Sequence, residues 1–144
     1  MSKTGRIEVV CGSMFSGKSE ELLRRLKRAR IVKKKYQLFK PSVDNRYSDT
    51  EVVSHSGDRL ECQVLQNAFQ ISDFLEDDVE IVAFDEAQFF DTTLVTTAIS
   101  LADMGKRVII AGLDMDSRGT PFGPMPHLLA VAEENILESK YQVL

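Results

Sequence analysis

The chain has 144 residues, 43% hydrophobic and 28% charged, the composition of one globular domain rather than a disordered, collagenous or repeat protein. Its 18 basic and 22 acidic residues leave a formal charge of -4, which argues against a nucleic-acid coat or an anionic-membrane binder. A chain this long buries roughly 68–70% of its unfolded surface, so it needs no disulfide or metal merely to fold, and it has no room for two lobes.

The first strong signal is the apolar, β-branched run from Ile7 to Cys11, read as a strand. A glycine-rich turn follows, and then Leu22, Leu23, Leu26 and Ala29 recur at helical spacing. From Arg24 to Lys35, eight of twelve residues are Lys or Arg, and a solvated helix face is the expected reading. A second strand runs from Tyr36 to Phe39 and is closed by Pro41. Ser42 to Asp58 is polar and reads as a long loop, of the kind that is usually functional.

Leu60 to Leu65 reads as a short strand, Ala68 to Leu75 as a short helix, and Val79 to Phe84 as a strand buried on both faces. A helix is expected from Thr92 to Met104, stopped by Gly105, followed by a strand from Arg107 to Ala111. A loop rich in Gly and Pro leads to a helix from Pro126 to Glu134 and a last strand from Ile136 to Leu144. Alternating strands and helices predict a doubly wound, mainly parallel α/β sheet flanked by helices, with sites at the C-terminal strand edges. All 144 residues are expected to form a single core. No stretch approaches the roughly 20 apolar residues of a membrane-spanning helix, and Met1 to Arg6 is polar. Cys11 and Cys62 form neither a disulfide framework nor a metal motif, so a reduced, cytoplasmic setting is expected.

Gly12-Ser13-Met14-Phe15-Ser16-Gly17-Lys18-Ser19 matches G-x-x-x-x-G-K-[ST], between an apolar strand and an amphipathic helix. Such a P-loop wraps phosphates because glycines let successive backbone N–H groups converge on oxygen, while the helix offers its positive end to the same anion. Lys18 is expected at the β and γ phosphates of ATP and Ser19 on Mg²⁺. Asp85 closes the apolar strand and fits the acidic metal partner that such a loop requires. Glu86 follows, placed to act on a nucleophile beside the γ phosphate. If that nucleophile is water the protein is an ATPase; if it is a substrate hydroxyl, a kinase. Asp85-Glu86-Ala87-Gln88 also invites a helicase reading, which the one-domain length opposes.

Taken together, Gly12 to Ser19, Lys40-Pro41 with Asp44-Asn45-Arg46-Tyr47, Ser54-His55, Asp85 to Phe90, and Ala111 to Asp114 leading to Pro121-Phe122-Gly123 resemble the thymidine kinases of the cellular, tetrameric type. The resemblance implies ATP-dependent phosphorylation of the thymidine 5′-hydroxyl, with Glu86 as general base. It implies nucleotide contacts along Gly12 to Ser19, with Asp44 and Arg46 approaching the phosphates and metal, and Asp85 to Gln88 lining the same site. It further implies a nucleoside pocket walled by Met14, Phe89, Leu113 and Phe122. Beside it, Gln88 reads as a hydrogen-bonding support near Glu86 rather than a catalyst, and His55 as a structural histidine, with a substrate or loop contact as its alternative. A homotetramer is implied too, which makes subunit packing a rival use for the basic segment.

Two departures stand out. Ser117 occupies a position that is usually aromatic in the family. The zinc ribbon and base-clamping loop that follow in the family have no counterpart in these residues, so the roughly four ligands of a structural zinc are absent and no zinc is expected. A shortened chain, a variant that holds the nucleoside differently and an ATP-binding remnant all fit that absence, and low activity is expected from an open pocket.

Overall fold

The computed structural model describes residues 5–13, 17–42, 50–53, 57 and 59–138. Its elements are β1 (Arg6–Gly12), α1 (Lys18–Ile31), β2 (Tyr36–Pro41), β3 (Glu51–Val53), β4 (Arg59–Glu61), β5 (Gln63–Leu65), α2 (Ile71–Phe74), β6 (Ile81–Phe84), α3 (Thr93–Asp103), β7 (Arg107–Leu113), α4 (Met125–Val131) and β8 (Glu134–Glu138). Six strands form one sheet in the order β5-β2-β6-β7-β1-β8, and every pairing is parallel. β3 and β4 form a separate antiparallel pair. The fold is a P-loop α/β architecture, as the sequence predicts.

Parallel strands need crossovers, and the crossovers cover both faces of the sheet, which is why β6 reads as an unbroken apolar run. Alternation along each strand sorts the core into two layers. Val10, Leu38, Ile81, Ala83, Ile109 and Ala111 face α1, which buries Leu22, Leu23, Leu26 and Ala29 on them. Val9, Cys11, Phe39, Val82, Phe84, Val108 and Ile110 face the opposite side, against Leu94, Ala98 and Leu101 of α3 and Met125 and Leu128 of α4. In joining β1 to β2, α1 crosses over β7 and β6 and so packs on four strands at once.

The expected boundaries shift where pairing competes with local preference. The loop expected from Ser42 to Asp58 contains β3, because Val52 and Leu60 pair and bury together beneath the α1 layer. The strand expected from Leu60 to Leu65 is two strands: Cys62 donates its N–H to Thr50, and the chain then turns to pair with β2. The helix expected up to Glu134 ends at Val131, since Glu133 donates its N–H to the Ile7 carbonyl and accepts the Ile7 N–H on its carboxylate. Pairing with β1 therefore starts β8 at Glu134, two residues ahead of the expected start, and residues 139–144 lie outside the described residues.

The basic segment is not a uniformly solvated face. Arg25 turns inward to Glu21 (2.7 Å), Glu8 and Glu134 (2.9 Å), while Lys35 reaches Glu76 (2.6 Å) and Asp78 (2.8 Å). Glu8, on the α1 side of β1, is almost wholly buried and also binds Arg107 through two bonds of 2.6 and 2.9 Å. Burial alone would raise its pKa, but the Arg107 and Arg25 guanidiniums hold it below the usual carboxylate range. The stability Glu8 contributes is thus present above its unfolded pKa and lost as pH falls through the depressed folded value.

Glu8→Ala leaves Arg25 and Arg107 without their shared partner and should cost about 3 kcal/mol, at the low end for a broken buried pair because Arg107 reaches solvent. Urea unfolding measures this; a loss below about 1 kcal/mol, the range of exposed pairs, would deny the network its role.

Candidate nucleotide and substrate site

β1 delivers the chain to Gly12 at the C-terminal edge of the sheet, and α1 starts at Lys18. Gly17, at φ 93°, occupies the left-handed region open to glycine and caps α1 without a side-chain bond. The first helical bond runs from Glu21 N–H to Gly17 O (3.0 Å), which leaves the N–H groups of the opening turn for a ligand. Lys18 is buried, with Nζ 3.5 Å from the Ser13 carbonyl, held back along the loop.

Asp85 lies just past β6, its N–H donating to Phe39 O (2.9 Å). Its side chain meets α1 across the end of β7: the Ser19 hydroxyl donates to Oδ2 at 3.4 Å. Oδ1 is buried without a hydrogen-bond partner among the described residues. Burial and the neighbouring Glu86 charge push the Asp85 pKa up to about 6, against opposing pulls from the Glu86 backbone N–H, the Lys18 ammonium and the Ser19 hydroxyl. An orphaned carboxylate oxygen beside a serine hydroxyl is a hard-oxygen pair that fits Mg²⁺.

Glu86 adopts φ 54° and ψ 39°, a left-handed conformation that costs a non-glycine residue roughly 1–3 kcal/mol and recurs at functional sites. It starts a 3₁₀ turn, Ala87–Phe89, that the surrounding packing over-determines. Ala87 is in the core, and Phe90 packs edge-on against Phe84 at 5.9 Å. Gln88 is only 2% exposed, and its Oε1 accepts the Leu113 N–H at 2.9 Å. Phe89 instead points outward, 40% exposed, and meets Phe122 edge-to-face at 5.4 Å.

Phe122 sits at the far end of a loop closed by its own bonds: Phe122 N–H to Asp114 O (3.1 Å) and Met125 N–H to Phe122 O (3.1 Å). Asp116 organises the tip by accepting the Arg118 and Thr120 N–H groups at 2.8 and 3.0 Å, with Ser117 exposed on that turn. The structure thus gathers Gly12, Ser13, Gly17, Lys18, Ser19 and Asp85 to Gln88 along one sheet edge, with Phe89, Leu113 and Phe122 beside them. Met14, Phe15, Ser16, Asp44, Arg46, Ser54 and His55 lie outside the described residues.

The family model described as thymidine kinase matches residues 5–138. The chain belongs to the thymidine kinase family. It is accordingly an ATP-dependent kinase of the P-loop fold, a nucleotide-binding transferase of DNA-precursor salvage, and the family implies ATP and Mg²⁺. Among the described residues, no helix of this kinase is long and apolar enough to cross a membrane.

Sequence reasoning missed the Gln88 contact to Leu113 and the Glu8 network. The first leaves no sequence signal, because it depends on β7 running past the end of β6. The second left one, a carboxylate in an apolar strand at Ile7-Glu8-Val9, but beyond the neighbouring Arg6 its partners lie 17 and 99 residues away.

Between about pH 4 and pH 6 the native chain binds more protons at Asp85 than the unfolded chain does, so stability at this group falls as pH rises through that window. At pH 7.5 the nucleotide-free chain carries the whole cost of the buried charge. Asp85→Asn should therefore stabilise it by about 1–3 kcal/mol in thermal or urea unfolding, while removing the Mg²⁺ dependence of ATP binding. A variant less stable than the parent at pH 7.5 would contradict this.

Proposed function

We propose that this chain transfers the γ-phosphate of ATP to the 5′-hydroxyl of thymidine. The observation that carries the reading is the short turn after β6. It puts a buried carboxylate with an orphaned oxygen, a left-handed glutamate and an outward-facing phenylalanine within five residues, Asp85 to Phe89. An aromatic exposed beside the base and set against Phe122 supplies the apolar wall a nucleoside kinase needs, which favours this reading over a water-activating ATPase.

In this reading the N–H groups opening α1 and the Lys18 ammonium bind and orient the phosphates of ATP. Ser19 and Asp85 would hold Mg²⁺, which when bound neutralises charge on the phosphate oxygens. Phe89 and Phe122 stack and wall the nucleoside, together with Leu113 and, by family resemblance, Met14. Glu86 accepts the 5′-hydroxyl proton; the oxygen forms its bond to the γ-phosphorus as the bond to the bridging oxygen breaks, and ADP leaves. By resemblance Asp44 and Arg46 complete the phosphate contacts. We also propose that the described elements are one kinase core and that it acts in the cytoplasm as a homo-oligomer, a tetramer by the same resemblance.

Glu86→Gln should lower thymidine monophosphate formation about 10²–10⁴-fold, the usual worth of a general base, while ATP binding measured by calorimetry stays unchanged. Loss of ATP binding in a folded variant would overturn the assignment of Glu86 as the base. ATP hydrolysis indifferent to thymidine in the parent chain would instead favour an ATPase.

A further inference from the structure

β6 pairs with β7 only as far as Phe84 opposite Ile110, yet β7 runs on to Leu113. The Leu113 N–H therefore emerges past the end of its β6 neighbour. The carboxamide oxygen of Gln88 meets it at 2.9 Å and stands in for the main-chain carbonyl that a longer β6 would have supplied. Two residues after the candidate base, Gln88 thus ties the Glu86 turn to the root of the loop that carries Phe122.

The other end of that loop is pressed on the same residue. A Cβ at Gly123 would lie 2.3 Å from the Gln88 carbonyl oxygen, and Gly123 also sits at φ 54°. At Gly112 a Cβ would lie 2.9 Å from Gln88 Oε1 and 2.9 Å from the Met125 sulfur. The loop leaves the sheet beside the side chain of Gln88 and returns beside its backbone, while Phe89 meets Phe122 outside.

We infer that Gln88 is a positioning residue that fixes the spacing between the turn bearing Glu86 and the Leu113–Gly123 wall of the nucleoside pocket. The inference rests on the kinase reading above, in which Glu86 is the base and Phe89 and Phe122 hold the nucleoside. Gln88 acts through Leu113 and Gly123, with its own carboxamide oxygen occupied by the Leu113 amide. Its loss is felt at the nucleoside, and the phosphate loop, built from β1 and α1, is left in place.

The test uses Gln88→Met, which keeps length and removes the acceptor, and Gly123→Ala, which keeps Gln88 and pushes the loop off its carbonyl. Both should raise KM for thymidine about tenfold or more with KM for ATP within about twofold, since displaced positioning groups lose the substrate they position. Amide exchange of Leu113 by NMR should accelerate in Gln88→Met while the amides of Val108 to Ala111 stay protected. If Gln88→Met does not fold, Gly123→Ala decides alone. Parallel increases in both KM values, or thymidine KM unchanged within about twofold, would overturn the inference. Absence of monophosphate from the parent chain would count against the kinase reading itself, and Leu113 exchange would still report whether Gln88 holds the wall.

Discussion

The site is organised around one unfavourable burial, the carboxylate of Asp85. It stands at the end of β6 with one oxygen shared with Ser19 and the other unpartnered, next to a second carboxylate on Glu86. A group so placed raises its own pKa and weakens the empty protein. It becomes favourable only when a cation arrives, and ATP brings its cation with it. The strained φ of Glu86 is of the same kind: local cost held in place by Ala87 and Phe90 in the core.

Such a site needs a rigid frame, and the frame is the way α1 crosses the sheet. Because β7 separates β1 from β6, Ser19 reaches Asp85 only if the first turn of α1 leans over the end of β7. The apolar face of α1 on four strands sets its height, and Arg25, bound to Glu8 and Glu21, sets its rotation. Charges buried at Glu8 and at Asp85 therefore have opposite characters. The first is matched by arginines and stabilises the chain as pH rises; the second is unmatched and destabilises it over the same direction.

What could be read in advance was whatever depends on near neighbours in the chain. The phosphate loop was legible because a strand, a glycine turn and an amphipathic helix are contiguous, and Asp85 because an apolar run stops on it. The hairpin of β3 and β4 was hidden because Val52 and Leu60 are isolated apolar residues that gain meaning only opposite each other. The inward turn of Arg25 was hidden within a run of like charges. Gln88 was legible as a support but not what it supports, since its partner Leu113 is set by strand order.

In the proposed reading, the site behind Asp85 passes phosphate to a nucleoside and not to water. The most direct measurement follows ADP and thymidine monophosphate together in the full 144-residue chain, supplied with Mg-ATP with and without thymidine. ADP and monophosphate are expected in equal amounts, both dependent on thymidine. ADP formed at the same rate without thymidine, and no monophosphate with it, would mean that the phosphate goes to water and that the nucleoside is not the acceptor.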